Sequence, residues 1–67
     1  MKELLNLSEN LQELRKQYGY TQQYVAKQIG ITYQSYQAYE RGVAVPTLQN
    51  FIKLAKLYDV TYEELLN

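Results

Sequence analysis

Apolar residues recur at spacings of three and four positions along most of this chain. A three–four spacing places side chains on one face of a helix, whereas a strand alternates apolar and polar residues. The spacing therefore predicts a helical chain with no sheet. The series lie within residues 11–18, 25–29, 36–39, 48–58 and 62–66.

Glycine and threonine divide the chain into segments of helix length. Glycine after a periodic series is the usual left-handed end of a helix, and threonine before one accepts a hydrogen bond from a free backbone N–H of the first turn. The glycines are Gly19, Gly30 and Gly42, and the threonines are Thr21, Thr32, Thr47 and Thr61. The predicted helices are residues 8–18, 22–29, 33–41, 47–58 and 62–66, with residues 42–47 as the longest internal turn. Short helices joined by short turns make a compact all-α, five-helix bundle.

The length allows one domain, residues 1–67, in which residues 1–7 are a short N-terminal extension. The chain has no cysteine and no histidine, so we expect no Cys/His metal site, no cofactor and no histidine-based catalysis. No apolar run approaches the roughly 20 residues of a membrane helix, and no leader precedes the first helix. We therefore expect a cytoplasmic protein without a membrane partner.

The net charge of zero conceals an uneven distribution. Residues 14–58 carry six basic residues and one acidic residue, whereas residues 1–13 and 59–67 are net acidic. A positive middle between acidic ends is compatible with a polyanionic partner, although it is not a strong basic patch.

Eight tyrosines are the other compositional feature. Five fall on the apolar series, which predicts core or half-buried positions: Tyr18, Tyr36, Tyr39, Tyr58 and Tyr62. Three do not, and we expect them to be free: Tyr20, Tyr24 and Tyr33.

Residues 21–41 have the spacing of a helix-turn-helix. One short helix ends at Gly30 and the next begins at Thr32, so only three or four residues form the turn. Ala26 is small enough for the two helix axes to approach each other. We expect Tyr36 and Tyr39, together with Ile31, to point inward and join the helices.

At these spacings residues 11–66 resemble the DNA-binding domain of the phage repressor and Cro class, also called Xre-type. The matching segments are Leu14-Arg15, Gly19, Thr21-Gln22, Val25-Ala26, Gly30-Ile31, Glu40-Arg41-Gly42, Pro46-Thr47, Leu54-Ala55, Asp59-Val60-Thr61 and Glu64-Leu65-Leu66. The resemblance implies a lambda-repressor-like bundle whose third helix enters the DNA major groove. Two features depart from it: Tyr36 stands where an aliphatic residue is usual, and the chain is less basic.

The resemblance also implies which residues meet DNA. It assigns Gln22 to a phosphate contact and the following residues to base reading: Thr32, Tyr33, Gln34, Gln37 and Ala38. Gln23 and Arg41 join the candidate set because a helix N-terminus suits a phosphate and because Arg41 shares the polar face of the third helix. The alternative for each is an ordinary solvated surface.

Arg15 and Glu40 match a pair that, in the same family, joins the first helix to the end of the third. We interpret them as an internal salt bridge rather than as a catalytic or ligand-binding dyad.

The predicted function is a sequence-specific, double-stranded DNA-binding transcriptional regulator, a repressor acting as a homodimer on a palindromic operator. The alternative is a protein–protein module such as an antitoxin, anti-repressor or adaptor. We do not expect an enzyme, because no nucleophile–base pair, metal cluster or phosphate-binding loop is present. The hypothesis for dimerisation uses Leu4, Leu5, Leu65 and Leu66. Leu4 and Leu5, together with Leu7, either cap the core or present a partner surface, and we favour the cap.

Overall fold

The computed structural model describes residues 2–67, with side chains from residue 6 onward. The chain forms five helices and, within residues 2–67, no strand, which confirms the all-α prediction. In chain order they are α1 (Lys2–Tyr18), α2 (Gln22–Ile29), α3 (Tyr33–Arg41), α4 (Leu48–Tyr58) and α5 (Tyr62–Leu66).

Threonine side chains cap the N-termini of α2 to α5, as the sequence predicts. In each cap the hydroxyl oxygen accepts a hydrogen bond of 3.0–3.1 Å from the backbone N–H three residues later. At α5, the Glu64 carboxylate in turn accepts a hydrogen bond from the Thr61 N–H, which completes a capping box. The prediction began α4 at residue 47, but Thr47 is its cap and the helix begins at Leu48.

Helix α1 begins six residues before its predicted start. The prediction placed the beginning near Ser8, but Ser8 lies inside α1 and is buried. Residues 2–7 contain no glycine or proline and are rich in lysine, glutamate and leucine, which are strong helix formers. Without a residue that stops it, the helix continues toward the N-terminus.

All five helices contribute to one core. Leu11, Val25, Tyr36, Leu54 and Leu65 come from α1 to α5 in turn, and each is 0% exposed. Fully burying a side chain of this size stabilises the fold by about 1.5–3 kcal/mol. The core therefore includes the short α5 as well as the longer helices.

The burial of Leu65 corrects part of the dimerisation hypothesis. Leu65 packs in the core of the monomer and cannot also lie at a surface between two copies, while Leu66 is partly buried against the same core. Leu7 is buried there too, as expected of a residue that caps the core. Leu4 and Leu5 fall outside the described side chains.

The turn between α2 and α3 is held by backbone hydrogen bonds. Gly30 ends α2 in the left-handed conformation, with φ 78°, and the N–H of Ile31 donates to the carbonyl of Ala26 at 3.0 Å. This six-residue closure is a Schellman motif, and it directs the chain into the next helix. Ala26 is buried and Ile31 is half-buried, so the helix-turn-helix arrangement is confirmed.

The tyrosines divide less cleanly than their spacing predicts. Tyr36, Tyr39 and Tyr58 are buried, but Tyr18 is 43% and Tyr62 51% exposed. Tyr20, expected to be free, is half-buried among other tyrosine rings. Its ring lies 5.4 Å from that of Tyr18 and 4.7 Å from that of Tyr24.

Candidate nucleic-acid interface

Helix α3 is amphipathic, with one face in the core and the other toward solvent. Its buried residues are Tyr36, Tyr39 and Glu40. Gln34 and Arg41 are exposed, whereas Tyr33, Gln37 and Ala38 are half-buried beside them. The buried residues fix α3 to the core, and the opposite face, which is mainly polar, is accessible to solvent.

The first turn of α3 is ordered by Thr32. Its hydroxyl oxygen accepts from the Ser35 N–H at 3.1 Å, and the hydroxyl itself donates to Ser35 Oγ at 2.9 Å. Thr32 was a candidate base reader, and here its hydroxyl caps the helix. Tyr33 and Gln34 follow the cap, so their backbone lies in an ordered first turn of α3.

One hydrogen bond connects two side chains on the polar face itself. Gln37 Nε2 donates to the hydroxyl oxygen of Tyr33 at 2.8 Å. The two residues are four apart, a spacing at which helical side chains meet. The sequence analysis named both residues but did not predict a hydrogen bond between them.

The first turn of α2 meets the last turn of α3. Gln22 Nε2 donates to Glu40 Oε1 at 3.0 Å, and Gln22 is half-buried as a result. Its neighbour Gln23 is exposed. One amide N–H of Gln22 is thus used within the protein, while Gln23 points to solvent at the helix N-terminus.

Glu40 is held by a two-pronged ion pair with Arg15. Arg15 Nε donates to Glu40 Oε2 at 2.7 Å, and Arg15 Nη2 donates to Oε1 at 3.2 Å. Arg15 also donates to the Tyr20 carbonyl at 3.0 Å, and Gln12 donates to the Glu40 carbonyl at 2.6 Å. The bonds to Glu40 join α1 to the end of α3, and the bond to Tyr20 holds the turn after α1.

The pair remains charged although Glu40 is only 3% exposed. Burial alone raises the pKa of Glu40, but hydrogen bonds from Arg15, Tyr36 and Gln22 outweigh it and hold the pKa below its usual value. The hydrogen bond to Glu40 raises the pKa of Arg15. The hydrogen bonds between the two groups therefore favour the charged form of both.

Tyr36, the residue that departs from the family pattern, has partners for its buried hydroxyl. It lies 3.0 Å from the Tyr58 hydroxyl on α4 and also interacts with Glu40. Burial raises the pKa of both tyrosines, that of Tyr58 to about 12. Within residues 6–67 no buried polar side-chain atom is left without a hydrogen-bond partner.

The sequence analysis did not predict three exposed apolar side chains that follow α3 in the chain. Val43, Val45 and Leu48 are 68%, 62% and 75% exposed, and they lie in the turn before α4 and at its first position. The sequence signal was an apolar run in a segment predicted to be a turn.

The part of the chain that the structure describes holds no cluster of three residues suited to a metal ion. It also holds no helix that is both long and apolar enough to span a bilayer.

Comparison with known proteins assigns the family. Residues 11–65 match the helix-turn-helix family, and the chain belongs to it. The chain is 36% identical over 61 residues to the cryptic phage CTXphi transcriptional repressor RstR of Vibrio cholerae, which covers 91% of this chain and 54% of that protein. It is 41% identical over 58 residues to the HTH-type transcriptional regulator AnsR of Bacillus subtilis, covering 87% of this chain and 50% of AnsR. The chain thus spans about half the length of these relatives.

A solved structure resembles the whole chain. The restriction-modification controller protein C.AhdI from Aeromonas hydrophila superimposes with a TM-score of 0.86 at 31% identity, and the match covers 97% of this chain and 98% of that one. The bundle is therefore a fold that a solved restriction-modification controller protein also adopts.

Proposed function

We propose that this chain is a sequence-specific, double-stranded DNA-binding transcriptional regulator that reads the major groove with α3. The observation that carries the proposal is the division of α3 into a buried face, which fixes the helix, and a polar face, which is open to a ligand. A helix fits the major groove of B-DNA, and side-chain amides match the base edges there. The relatives named as transcriptional regulators support the same conclusion. Such a protein acts where the DNA is, which in a bacterium is the cytoplasm.

The two kinds of DNA contact belong to different residues. Tyr33, Gln34 and Gln37, with the methyl group of Ala38, are the base readers of α3. Gln23 lies at the N-terminus of α2, where free N–H groups favour a phosphate, and Arg41 offers a charge at the end of α3. In this proposal Gln22 holds Glu40 with one N–H and has a second N–H for a phosphate.

We further propose a homodimer on a palindromic operator. One recognition helix reads about four or five base pairs, which is too few to specify a genomic site. Two helices related by a two-fold axis read half-sites about one helical turn apart. Leu65 is not part of the dimer surface, because it is buried in the monomer.

Selection of bound sequences from a random duplex pool tests the function and its symmetry together. We expect enrichment of a palindrome with half-sites one helical turn apart, and sedimentation of a dimer on that duplex. Failure to enrich any sequence would contradict DNA reading. A monomer both free and on the duplex would contradict the homodimer alone.

A protein-binding module remains the second candidate, and the exposed Val43, Val45 and Leu48 favour it. The three residues lie within six positions of the chain, and contiguous exposed apolar surface is typical of protein contacts. An antitoxin, anti-repressor or adaptor that used the bundle only on a protein would bind DNA weakly or not at all. A titration of duplex affinity against salt distinguishes the two, because phosphate contacts give a steep slope.

A further inference from the structure

We propose that a second copy of this chain docks on an uncharged apolar surface, the dimer face, which consists of Val43, Val45, Leu48, Phe51 and Tyr62. The contact holds two copies together on one operator but is too small to hold them together in free solution. This dimer face rests on the proposed function, because a palindromic operator is what brings the two copies to each other. It adds to that function the residues through which the copies meet.

Exposed apolar side chains are concentrated on the dimer face. Among the side chains from residue 6 onward, six large apolar ones are exposed, and four of the six belong to this face: Val43, Val45, Leu48 and Tyr62. The other two, Tyr18 and Tyr24, lie on α1 and α2. Single exposed apolar residues need no explanation, but a group of them marks an interaction surface.

The first part of the face is the turn after α3. Ala44 is half-buried and Pro46 is buried, whereas Val43 and Val45 are exposed. Inward and outward residues therefore alternate, and both valines lie on the outer side of the turn.

The second part of the face runs along α4 to α5. Leu48, the first residue of α4, precedes Phe51 by three positions, a spacing at which helical side chains are neighbours. The ring of Phe51 contacts the ring of Tyr62 on α5, with their centroids 5.5 Å apart. An apolar surface thus continues from the start of α4 to the first residue of α5.

The absence of charge on this surface suits a second copy. Residues 42–52 contain no charged residue, although 21% of the chain is charged. In a two-fold contact the same patch is used by both subunits, so a residue near the axis lies close to its own counterpart. A charge there would face a like charge and be repelled. An uncharged apolar face avoids that repulsion and offers nothing to attract a charged partner.

The position of the face leaves the base-reading end of α3 open. Val43 comes directly after Gly42, the residue that ends α3, whereas Tyr33 and Gln34 lie in the first turn of the same helix. A helix of nine residues is about 13 Å long, and this length separates the two ends. A copy seated on the dimer face therefore does not cover the first turn of α3.

The size of the molecule brings neighbouring copies within reach of each other. The body measures 26 × 22 × 21 Å. Two recognition helices on adjacent half-sites are about 34 Å apart, which leaves a separation on the order of 10 Å between the bodies. One flank of each copy then faces the other, and covering an apolar flank is favourable.

The area of the face predicts a dimer that assembles on DNA. From their exposed fractions, the four exposed side chains offer about 400 Å², which is the size of the largest patch on an ordinary monomer. A stable interface buries about 800 Å² on each partner. An operator that binds both copies raises their effective concentration, so the smaller contact is sufficient there.

The first test measures cooperativity on the duplex selected by the wild type and on a duplex with one half-site scrambled. We expect the free wild type to sediment as a monomer and its second copy to bind the palindrome about tenfold more tightly than the first. Leu48→Gln, a neutral change at an exposed position, abolishes that difference and leaves the affinity for the single half-site unchanged. Gln17→Ala, at an exposed position of α1, is the matched control and keeps it.

The second test detects the contact directly. The chain contains no cysteine, so Leu48→Cys introduces a unique thiol. A short bis-maleimide should join two copies of this variant on the palindromic duplex and not on the duplex with one half-site. Gln17→Cys should give no joined product on either duplex. Thermal melts establish that every variant is folded.

The possible failures are distinguishable. If the wild type enriches no duplex, the proposed function fails and the dimer face fails with it. If a palindrome is bound cooperatively, but Leu48→Gln keeps the cooperativity and Leu48→Cys is not cross-linked, only the dimer face is wrong. A stable free dimer that Leu48→Gln does not dissociate overturns it as well. So does a Leu48→Gln variant that binds the single half-site more weakly, because Leu48 would then contact DNA.

Discussion

Glu40 is the residue at which three helices meet. Its carboxylate accepts from Arg15 on α1 and Gln22 on α2, and its own backbone belongs to α3. One buried charge therefore links α3 to both α1 and α2. Replacing an ion pair by apolar groups is often neutral, but removing one partner leaves the other charge unpaired and is strongly destabilising.

Glu40→Ala should lower the melting temperature by several degrees. The change strands the Arg15 guanidinium and the Gln22 amide, at a cost of about 1–3 kcal/mol. In a domain of this size each kcal/mol corresponds to about 4–8 °C. A thermal melt measures the shift, and Glu13→Ala, at an exposed position of α1, is the control. A shift below one degree would mean that the pair contributes nothing to stability.

The contribution of Glu40 should also depend on acid. Its pKa is lowered in the folded protein, so its stabilising effect is present above the ordinary carboxyl pKa of 4.5 and is lost as the pH falls through the lower, folded value. Urea unfolding of the wild type and of Glu40→Ala, at pH values from 7 down to 3, measures this stabilising effect. The difference in unfolding free energy between the two proteins should shrink below pH 4.5. A constant difference would argue against the ion pair as its source.

The buried hydroxyls of Tyr36 and Tyr58 should make the protein sensitive to alkali. Both pKa values are raised above 10, that of Tyr58 to about 12. Above pH 10 the unfolded chain loses these protons while the folded chain keeps them, so stability is full below pH 10 and falls as the pH rises through 12. Each tyrosine accounts for about 1 kcal/mol per pH unit in that interval.

Tyr36→Phe should reduce the slope of unfolding free energy against pH between 10 and 12, as measured by urea unfolding. Tyr62→Phe, at a position that is 51% exposed, is the matched control and should leave the slope nearly unchanged. Equal slopes in all three proteins would show that the buried hydroxyls are not the groups that titrate.

At the scale of elements, left-handed glycines decide where α2 and α3 end. Gly30 and Gly42 have φ of 78° and 73°, a conformation that costs residues with a Cβ atom about 1 kcal/mol. A Cβ at Gly30 would have nothing within 4 Å, whereas one at Gly42 would lie 3.3 Å from Ser8 Oγ on α1. The second glycine therefore serves both the turn and the packing of α1.

Alanine substitution separates these two roles. We expect Gly30→Ala to lower the unfolding free energy by about 1 kcal/mol, the conformational cost alone. Gly42→Ala should cost more, because Ser8 must move. Gly30→Asn, which tolerates positive φ, should cost less than Gly30→Ala. Denaturant unfolding of the three variants gives the order, and an equal loss at both glycines would mean that Ser8 adjusts freely.

At the scale of the whole molecule, neutral net charge limits how strongly the protein is attracted to DNA. Affinity must then come from a few charges placed at the phosphates, and Arg41 is the exposed candidate at the end of α3. Arg41→Ala should weaken binding to every duplex and make the salt slope shallower by about one, with base preference unchanged.

Gln34→Ala is the complementary variant in the same titration. It should change base preference at one or two positions and leave the salt slope as it is, because no charge is lost. If Arg41→Ala altered base preference instead of the slope, Arg41 would be a base reader and not a phosphate contact.

The sequence by itself determined the helix ends from Gly19 onward, apart from the first residue of α4, and the helix-turn-helix between α2 and α3. Threonine caps and left-handed glycines act on backbone groups within about four residues, so the signal and its effect are adjacent in the chain. Helical periodicity likewise identified Tyr36 and Tyr39 as residues of α3 that point inward. The sequence contains no helix stop signal before Ser8, and the predicted start of α1 was wrong for that reason.

Only the tertiary structure decided the contacts between distant residues. Gln22 meets Glu40 across 18 positions, the Tyr36 and Tyr58 hydroxyls meet across 22, and Leu65 enters a core built by all five helices. Periodicity indicates a face but not what covers it, so it could not separate the buried Tyr58 from the exposed Tyr62.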